Sequence, residues 1–458
     1  MRCKVKSESF RKANSLACML RLFGRILLTG IGLGSIALGI QQPVEESAPQ
    51  GEWTMSLATR WEADLASDAL VLADPQADRM QVLVAMIVSF GDDCYQSAIE
   101  LSLVGIDAEG GTQVSRQASL QVEGIADGLR LRETLDCDLD GLRDFIVLPR
   151  AKNSSKCAPR SCWVVSSKSL EVLATVDLEP YNFGVSAAML FTDSGQPVLA
   201  LGSPMYPLGG EVALRAFPKG ILAGELGVLK ASITPVVPFS RENNCLIGGG
   251  LCLSKRVGSE VSEFNLVIGA PPFTMGGLRG GAVIAVKQLT NERAWKRAAS
   301  GDDMFGAPIA SVCDLNGNGW TDIAMGNFPK DFGVVEIVEG ASGQSIARLG
   351  GRIDSKWFGR LLATTPEGEW LAVAGDWDSG DSYVEIYRRW EGQSEFDLFV
   401  VLELDSKINT LNIGISPTKQ LVVAVTVASP HKDLVRKVGL SHRMSRKTEV
   451  MVYHMDIE

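Results

Sequence analysis

The sequence predicts an all-β chain, a seven-bladed β-propeller with four-stranded blades. Three observations predict it. One apolar run recurs seven times along the chain. An alternating strand follows several of the copies. Between them lie short β-branched segments ended by Gly, Pro, Asp or Asn, with few long helical patterns.

The apolar runs begin at Gln81, Asp144, Pro197, Asn265, Asp322, Trp370 and Gln420, with gaps of 63, 53, 68, 57, 48 and 50 residues. That is blade spacing. The runs are apolar on both faces, which suits inner strands packed between neighbouring sheets. The alternating partners are Glu211-Val-Ala-Leu-Arg-Ala-Phe, Gly281-Ala-Val-Ile-Ala-Val, Val334-Val-Glu-Ile-Val, Tyr383-Val-Glu-Ile-Tyr and Glu449-Val-Met-Val-Tyr. A Phe-Gly step precedes three copies, at Phe183-Gly184, Phe305-Gly306 and Phe358-Gly359. Glycine there permits a tight turn into the first strand of a blade. A β-sandwich is the competing architecture, since short strands with turns fit it too.

Three segments follow from this pattern: residues 1–40, 41–80 and 81–458. The first carries seven Lys and Arg against Glu8 and then an apolar run of 15 residues, Ile26 to Ile40. Basic residues before a short apolar run have the form of a secretory signal, with Ala37 and Gly39 as small residues before a cleavage point. An uncleaved N-terminal anchor is the alternative. Residues 41–80 read as a linker with a possible strand that closes the ring against the last blade, and 81–458 as the propeller.

Export sets the reading of the cysteines. Cys157 with Cys162 and Cys245 with Cys252 are spaced as hairpin disulfides; buried thiols are the alternative. Neither spacing is a zinc knuckle, and no histidine lies near.

Two acidic loops carry the sharpest chemistry. They are Asp136-Cys-Asp138-Leu-Asp140-Gly141-Leu142-Arg-Asp144 and Asp314-Leu-Asn316-Gly-Asn318-Gly319-Trp320-Thr-Asp322. Oxygens at positions 1, 3, 5 and 9, with the carbonyls of Leu142 and Trp320 at position 7, can surround one hard cation. Calcium takes six to eight such oxygens. An EF-hand is excluded: its twelfth position wants Glu, and here it is Val147 or Met325. Solvated Asp/Asn turns are the bland alternative. The first loop has four carboxylates and the second two, so the first is expected to bind calcium more tightly.

The stretch from Met304-Phe305-Gly306 through Asp314-Leu-Asn-Gly-Asn-Gly-Trp-Thr-Asp322-Ile-Ala-Met-Gly, with Asn265-Leu-Val-Ile-Gly-Ala-Pro, resembles FG-GAP repeats. These are the blades of the integrin alpha-subunit propeller and of many exported bacterial proteins. The resemblance is strong over 260–345 and weak elsewhere. It implies calcium in loops on one face and ligands on surface loops, and it carries cation positions only to the two loops named. Five blades show no such loop.

The net charge of −10 argues against nucleic acid, whose phosphates need basic patches. The three histidines, His431, His442 and His454, sit near the C-terminus, and neither G-x-S-x-G nor H-E-x-x-H occurs. Gly276-Gly-Leu-Arg-Gly-Gly lacks the Lys-Ser/Thr of a phosphate loop. Asp376-Trp-Asp378-Ser-Gly-Asp381 reads as an exposed turn. The expectation is a non-enzymatic, exported, calcium-binding scaffold for a protein or glycan ligand, with a possible membrane tether through the N-terminal segment. The alternative is a secreted propeller hydrolase or lyase acting on an extracellular polymer with paired carboxylates.

Overall fold

A computed structural model describes the chain from residue 55 to 457, apart from gaps. The gaps are 64–66, 73–78, 91–95, 108–110, 124–125, 127, 151–158, 160, 178–185, 192–196, 204–210, 217–249, 259–262, 272–280, 288–291, 299–304, 307, 328–332, 418 and 429–447. The N-terminal segment 1–40, Cys94, Cys157, Cys245, Phe183-Gly184, His431 and His442 lie outside the described residues.

The strands form antiparallel meanders in chain order. The first sheet is β2 (Ser67–Leu72), β3 (Met80–Phe90), β4 (Gln96–Ile106) and β5 (Thr112–Glu123). The second is β6 (Gly128–Glu133), β7 (Phe145–Arg150), β8 (Ser161–Val165) and β9 (Val172–Asp177). The third has β10 (Ser186–Phe191), β11 (Pro197–Ser203) and β12 (Glu211–Ala216). The fourth is β13 (Gly250–Lys255), β14 (Phe264–Ala270), β15 (Ala282–Lys287) and β16 (Arg293–Ala298). The fifth is β17 (Ile309–Val312), β18 (Asp322–Asn327), β19 (Val334–Val338) and β20 (Ser345–Gly350). The sixth is β21 (Ser355–Thr364), β22 (Trp370–Trp377), β23 (Ser382–Arg388) and β24 (Asp397–Leu404). The last is β25 (Ile408–Ile415), β26 (Gln420–Ala428) and β27 (Thr448–Asp456), joined by β1 (Ser56–Ala63) on its outer edge.

The expectation of seven four-stranded blades is corrected: among the described residues six four-stranded blades form. The sheet β10–β12 has three described strands, and the residues after it, 217–249, lie outside the described chain.

First strands meet first strands around the centre: β25 with β2, β2 with β6, β10 with β13, β13 with β17, β17 with β21 and β21 with β25. Only the innermost strands of radially arranged sheets can do this. A shared core of Ile146, Leu148, Val164, Ala187, Met189 and Leu199 joins the second sheet to the third.

The seven apolar runs lie on second strands, interior strands packed between neighbouring sheets. Second strands are covered by a neighbouring sheet on both faces and by paired strands on both edges, so β14 is buried along its whole length. First strands leave one edge at the centre.

The Phe-Gly steps wedge between blades. Phe305 is buried with Val267 and Val283 of one sheet and Ile323 and Met325 of the next. Phe358 is buried with Val335 and Ile337 of the fifth sheet and Leu371 and Val373 of the sixth. Gly306 and Gly359 have φ of 82° and 86°, the left-handed turn that glycine supplies without strain.

Cys252 is a free thiol, which corrects the Cys245–Cys252 disulfide. It sits among apolar neighbours of β14 and β15, and burial pushes its thiol pKa up. Cys162 is buried in the core between the second and third sheets. No disulfide occurs among the described residues.

Candidate functional site

Both acidic loops join the first strand of a blade to its second. The first, between β6 and β7, is pinned at its base. Thr134 N–H donates to the Asp144 carbonyl at 2.8 Å, and Asp144 N–H to the Leu135 carbonyl at 3.2 Å. Within this frame the loop's amides point inward. Asp136 accepts from the Asp140 N–H (3.1 Å) and Gly141 N–H (2.9 Å), and Asp138 accepts from Asp140 N–H (3.2 Å). Asp144 accepts from Cys137 N–H (2.7 Å) and Ser167 N–H (3.2 Å). These bonds gather Asp136, Asp138 and Asp144 so that one carboxylate oxygen of each lies within 4.8 Å of the others. Asp140 stays out of this trio; its Oδ1 accepts the Leu142 N–H at 2.9 Å.

The second loop, between β17 and β18, repeats the backbone. Asp314 accepts from Gly317, Asn318 and Gly319 at 2.8, 3.2 and 2.7 Å. Asn316 accepts from Asn318 N–H at 3.1 Å, and Asn318 from Trp320 N–H at 2.8 Å. Asp322 accepts from Leu315 and Gly340 at 2.8 and 3.2 Å. In both loops position 4 and position 6 are left-handed: Leu139 at 59° and Gly141 at 93°, Gly317 at 73° and Gly319 at 84°.

Two features of the second loop escape the sequence motif. Glu339, at the end of β19, accepts the Asn318 side-chain amide and the Ser342 hydroxyl, and so adds a carboxylate from the next hairpin. Its counterpart at the first loop is Ser166, whose neighbour Ser167 binds Asp144 as Gly340 binds Asp322. The loop is also strapped to the neighbouring blade. Val257 N–H donates to the Gly319 carbonyl at 2.7 Å, Thr321 N–H to Lys255 at 2.8 Å, and the Ser254 hydroxyl to the Thr321 carbonyl at 2.7 Å.

Burial shapes the electrostatics. Asp144 and Asp322 are both fully buried. Desolvation, with nearby carboxylates adding to it, pushes each up to about 7 against the opposing backbone hydrogen bonds. A bound cation would add to those hydrogen bonds in favouring the ionised form. Three clustered carboxylates fit a hard, oxygen-seeking ion such as calcium at the first loop. The second offers two loop carboxylates, two amide oxygens already accepting N–H groups, and Glu339 alongside.

The other sequence candidates fall elsewhere. Asp378 and Asp381 belong to a tight turn, closed by Trp377 N–H to the Asp381 carbonyl at 2.8 Å. Asp376 is buried and pairs with Arg360 at 2.7 Å and Lys407 at 3.3 Å. Among the described residues no helix is long and apolar enough to cross a membrane.

The chain is a β-propeller. No protein-family profile matches it. Two of the solved structures similar to it are examples of the fold. The Dos1 propeller has a TM-score of 0.40 and 9% identity, over 87% of this chain and 95% of that one. A protein described as a 6-phosphogluconolactonase from Bacteroides fragilis has a TM-score of 0.41 and 12% identity, over 74% of this chain and 96% of that one. Likeness at this level says nothing of ligand or activity.

Proposed function

We propose that this chain is a calcium-binding scaffold of the FG-GAP type, exported from the cell, whose propeller loops engage a protein or glycan. The observation that carries the reading is the trio Asp136, Asp138 and Asp144, with oxygens within 4.8 Å of one another. Three like charges so close repel unless a cation joins them. The matching turn geometry of the second loop supports a second, weaker site. Calcium would then stiffen the loops of two blades without taking part in bond chemistry.

Calorimetry on chelator-stripped protein tests this. Calcium should bind saturably in two events. Asp138→Ala should remove the tighter event and leave the weaker, and Asp314→Ala should do the reverse. A flat titration of the native chain would refute calcium binding. Capture of cell-surface proteins and glycans with calcium and with chelator tests the scaffold role, which fails if no partner depends on calcium.

A further inference from the structure

The inner strand β6 carries two arginines that, among the described residues, form no salt bridge, in a chain whose net charge is −10. On β6, Leu129 and Leu131 are buried against the first sheet, at 3% and 1% exposure. Strand alternation therefore puts Arg130 and Arg132 together on the opposite face, opposite Leu148 and Ile146 of β7. Both are partly buried at the innermost position of their sheet.

Arg130 reaches past β2 to the last sheet. Its Nη2 donates to the Asn409 carbonyl on β25 at 3.3 Å. On the adjacent peptide, the Ile408 carbonyl accepts from Arg360 Nη1 at 2.8 Å. Two guanidinium groups from sheets far apart in sequence thus share neighbouring carbonyls. Arg360 is balanced by Asp376, which also takes Lys407. Among the described residues, neither Arg130 nor Arg132 has a carboxylate within salt-bridge distance. Arg132 bonds only the Leu131 carbonyl, at 3.1 Å. The nearest acid, Asp68, is occupied by the Ala69 and Leu131 amides at 2.9 and 2.8 Å.

A guanidinium taken partly out of water is costly, and two of them repel; the one carboxylate acting on Arg132, Asp68, has both oxygens engaged by amides and offsets only part of this. Burial and then Arg130 lower the Arg132 pKa, against a smaller opposing pull from Asp68, and Arg130 also opposes the charge on Arg360. The planar fork of arginine matches phosphate and carboxylate oxygens in pairs.

We propose that the centre of the ring binds an oxyanion, the phosphate or carboxylate group of a small ligand, between Arg130 and Arg132. The site does not use the acidic trio: it has the opposite sign and lies on the strand before that loop.

The test is titration of the full chain in chelator with inorganic phosphate and, separately, with citrate, at constant ionic strength against chloride. Saturable binding of either supports the site. Phosphate alone marks a phosphate ligand, citrate alone a carboxylate ligand, and both a general oxyanion seat. Arg130→Gln and Arg132→Gln should each weaken binding by about tenfold, the worth of one charge-assisted hydrogen bond. Arg116→Gln, exposed on β5, should leave it unchanged. In anion-free buffer Arg130→Gln should melt no lower than the native chain, because it relieves repulsion. The proposal falls if neither anion binds saturably, if affinity survives both substitutions, or if Arg130→Gln melts well below the native chain without anion. If a glutamine variant does not fold, the anion-dependent rise in the native chain's melting temperature decides: a rise over chloride supports the site, and none sinks it.

Discussion

Leu139 and Gly317 occupy the same position in the two loops, and only one of them suits it. Both are left-handed, with φ of 59° and 73°. Leu139 has its side chain 66% exposed and makes no core contact to offset the strain. Left-handed backbone costs a residue with a Cβ about 1–2 kcal/mol, while glycine gives back about 0.5–1 in unfolded-chain entropy. Leu139→Gly should therefore raise stability by up to about 1 kcal/mol in denaturant titration. Gly141, at 93° with open space around it, gives the converse. Gly141→Ala should cost about 1–2 kcal/mol through conformation alone.

Asp144 and Asp322 set a pH dependence at the same scale. Each has a folded-state pKa of about 7 against 3.8 for the ordinary group. An acid raised on folding contributes stability that is full below about pH 4 and is lost as pH rises through about 7. In chelator, the melting temperature should fall across that window. With saturating calcium the fall should disappear, because the ion favours the ionised form. A chelated protein equally stable at pH 5 and pH 8 would contradict the buried, cation-free carboxylates described.

Blade-to-blade contacts are made by elements whose partners lie in another repeat. A Cβ on Gly269 would run into the Gly306 carbonyl of the next blade's Phe-Gly step, and one on Gly326 into that of Gly359. This is why the apolar runs close on glycine: the neighbouring backbone passes where a side chain would stand. Gly269→Ala and Gly326→Ala should each cost about 1–3 kcal/mol from overpacking. Gly350, with nothing within 4 Å and no left-handed φ, is the contrast. Gly350→Ala on the outer strand should be neutral or stabilise by up to about 1 kcal/mol. Equal effects at the three positions, measured by thermal denaturation, would refute the backbone-approach explanation.

The same comparison shows what the sequence made legible. The second strands were visible because both faces are buried, which leaves a continuous apolar run. The acidic loops were visible because their ligands lie within nine consecutive residues. The first strands were not, since a segment such as Gly128-Leu-Arg-Leu-Arg-Glu has one face in the core and one at the centre. Glu339 and the Arg130–Asn409 contact were hidden because they join residues 21 and 279 positions apart. The Phe-Gly step showed its left-handed turn locally, but not the glycine across the blade interface that accommodates it.

At the scale of the whole molecule, closure rests on β1. Its register with β27 runs from Ser56 opposite His454 to Ala63 opposite Thr448, and Arg60 reaches the buried carboxylate of Glu449. Without β1, the edge of β27 would present unpaired amides and carbonyls, a template for pairing with another chain. A chain lacking residues 1–63 should melt lower and associate with rising concentration, as seen by light scattering. An unchanged melting temperature and a monomeric profile would show that β1 is dispensable.

This pairing also orders events during synthesis. The strand that seals the ring is made before every other described strand, and its partner after them. Until Thr448 emerges from the ribosome, Ser56–Ala63 has no native mate, and the entropy of joining ends so distant falls late in folding. Nascent chains stalled before that point should bind holdase chaperones, and those released after it should not.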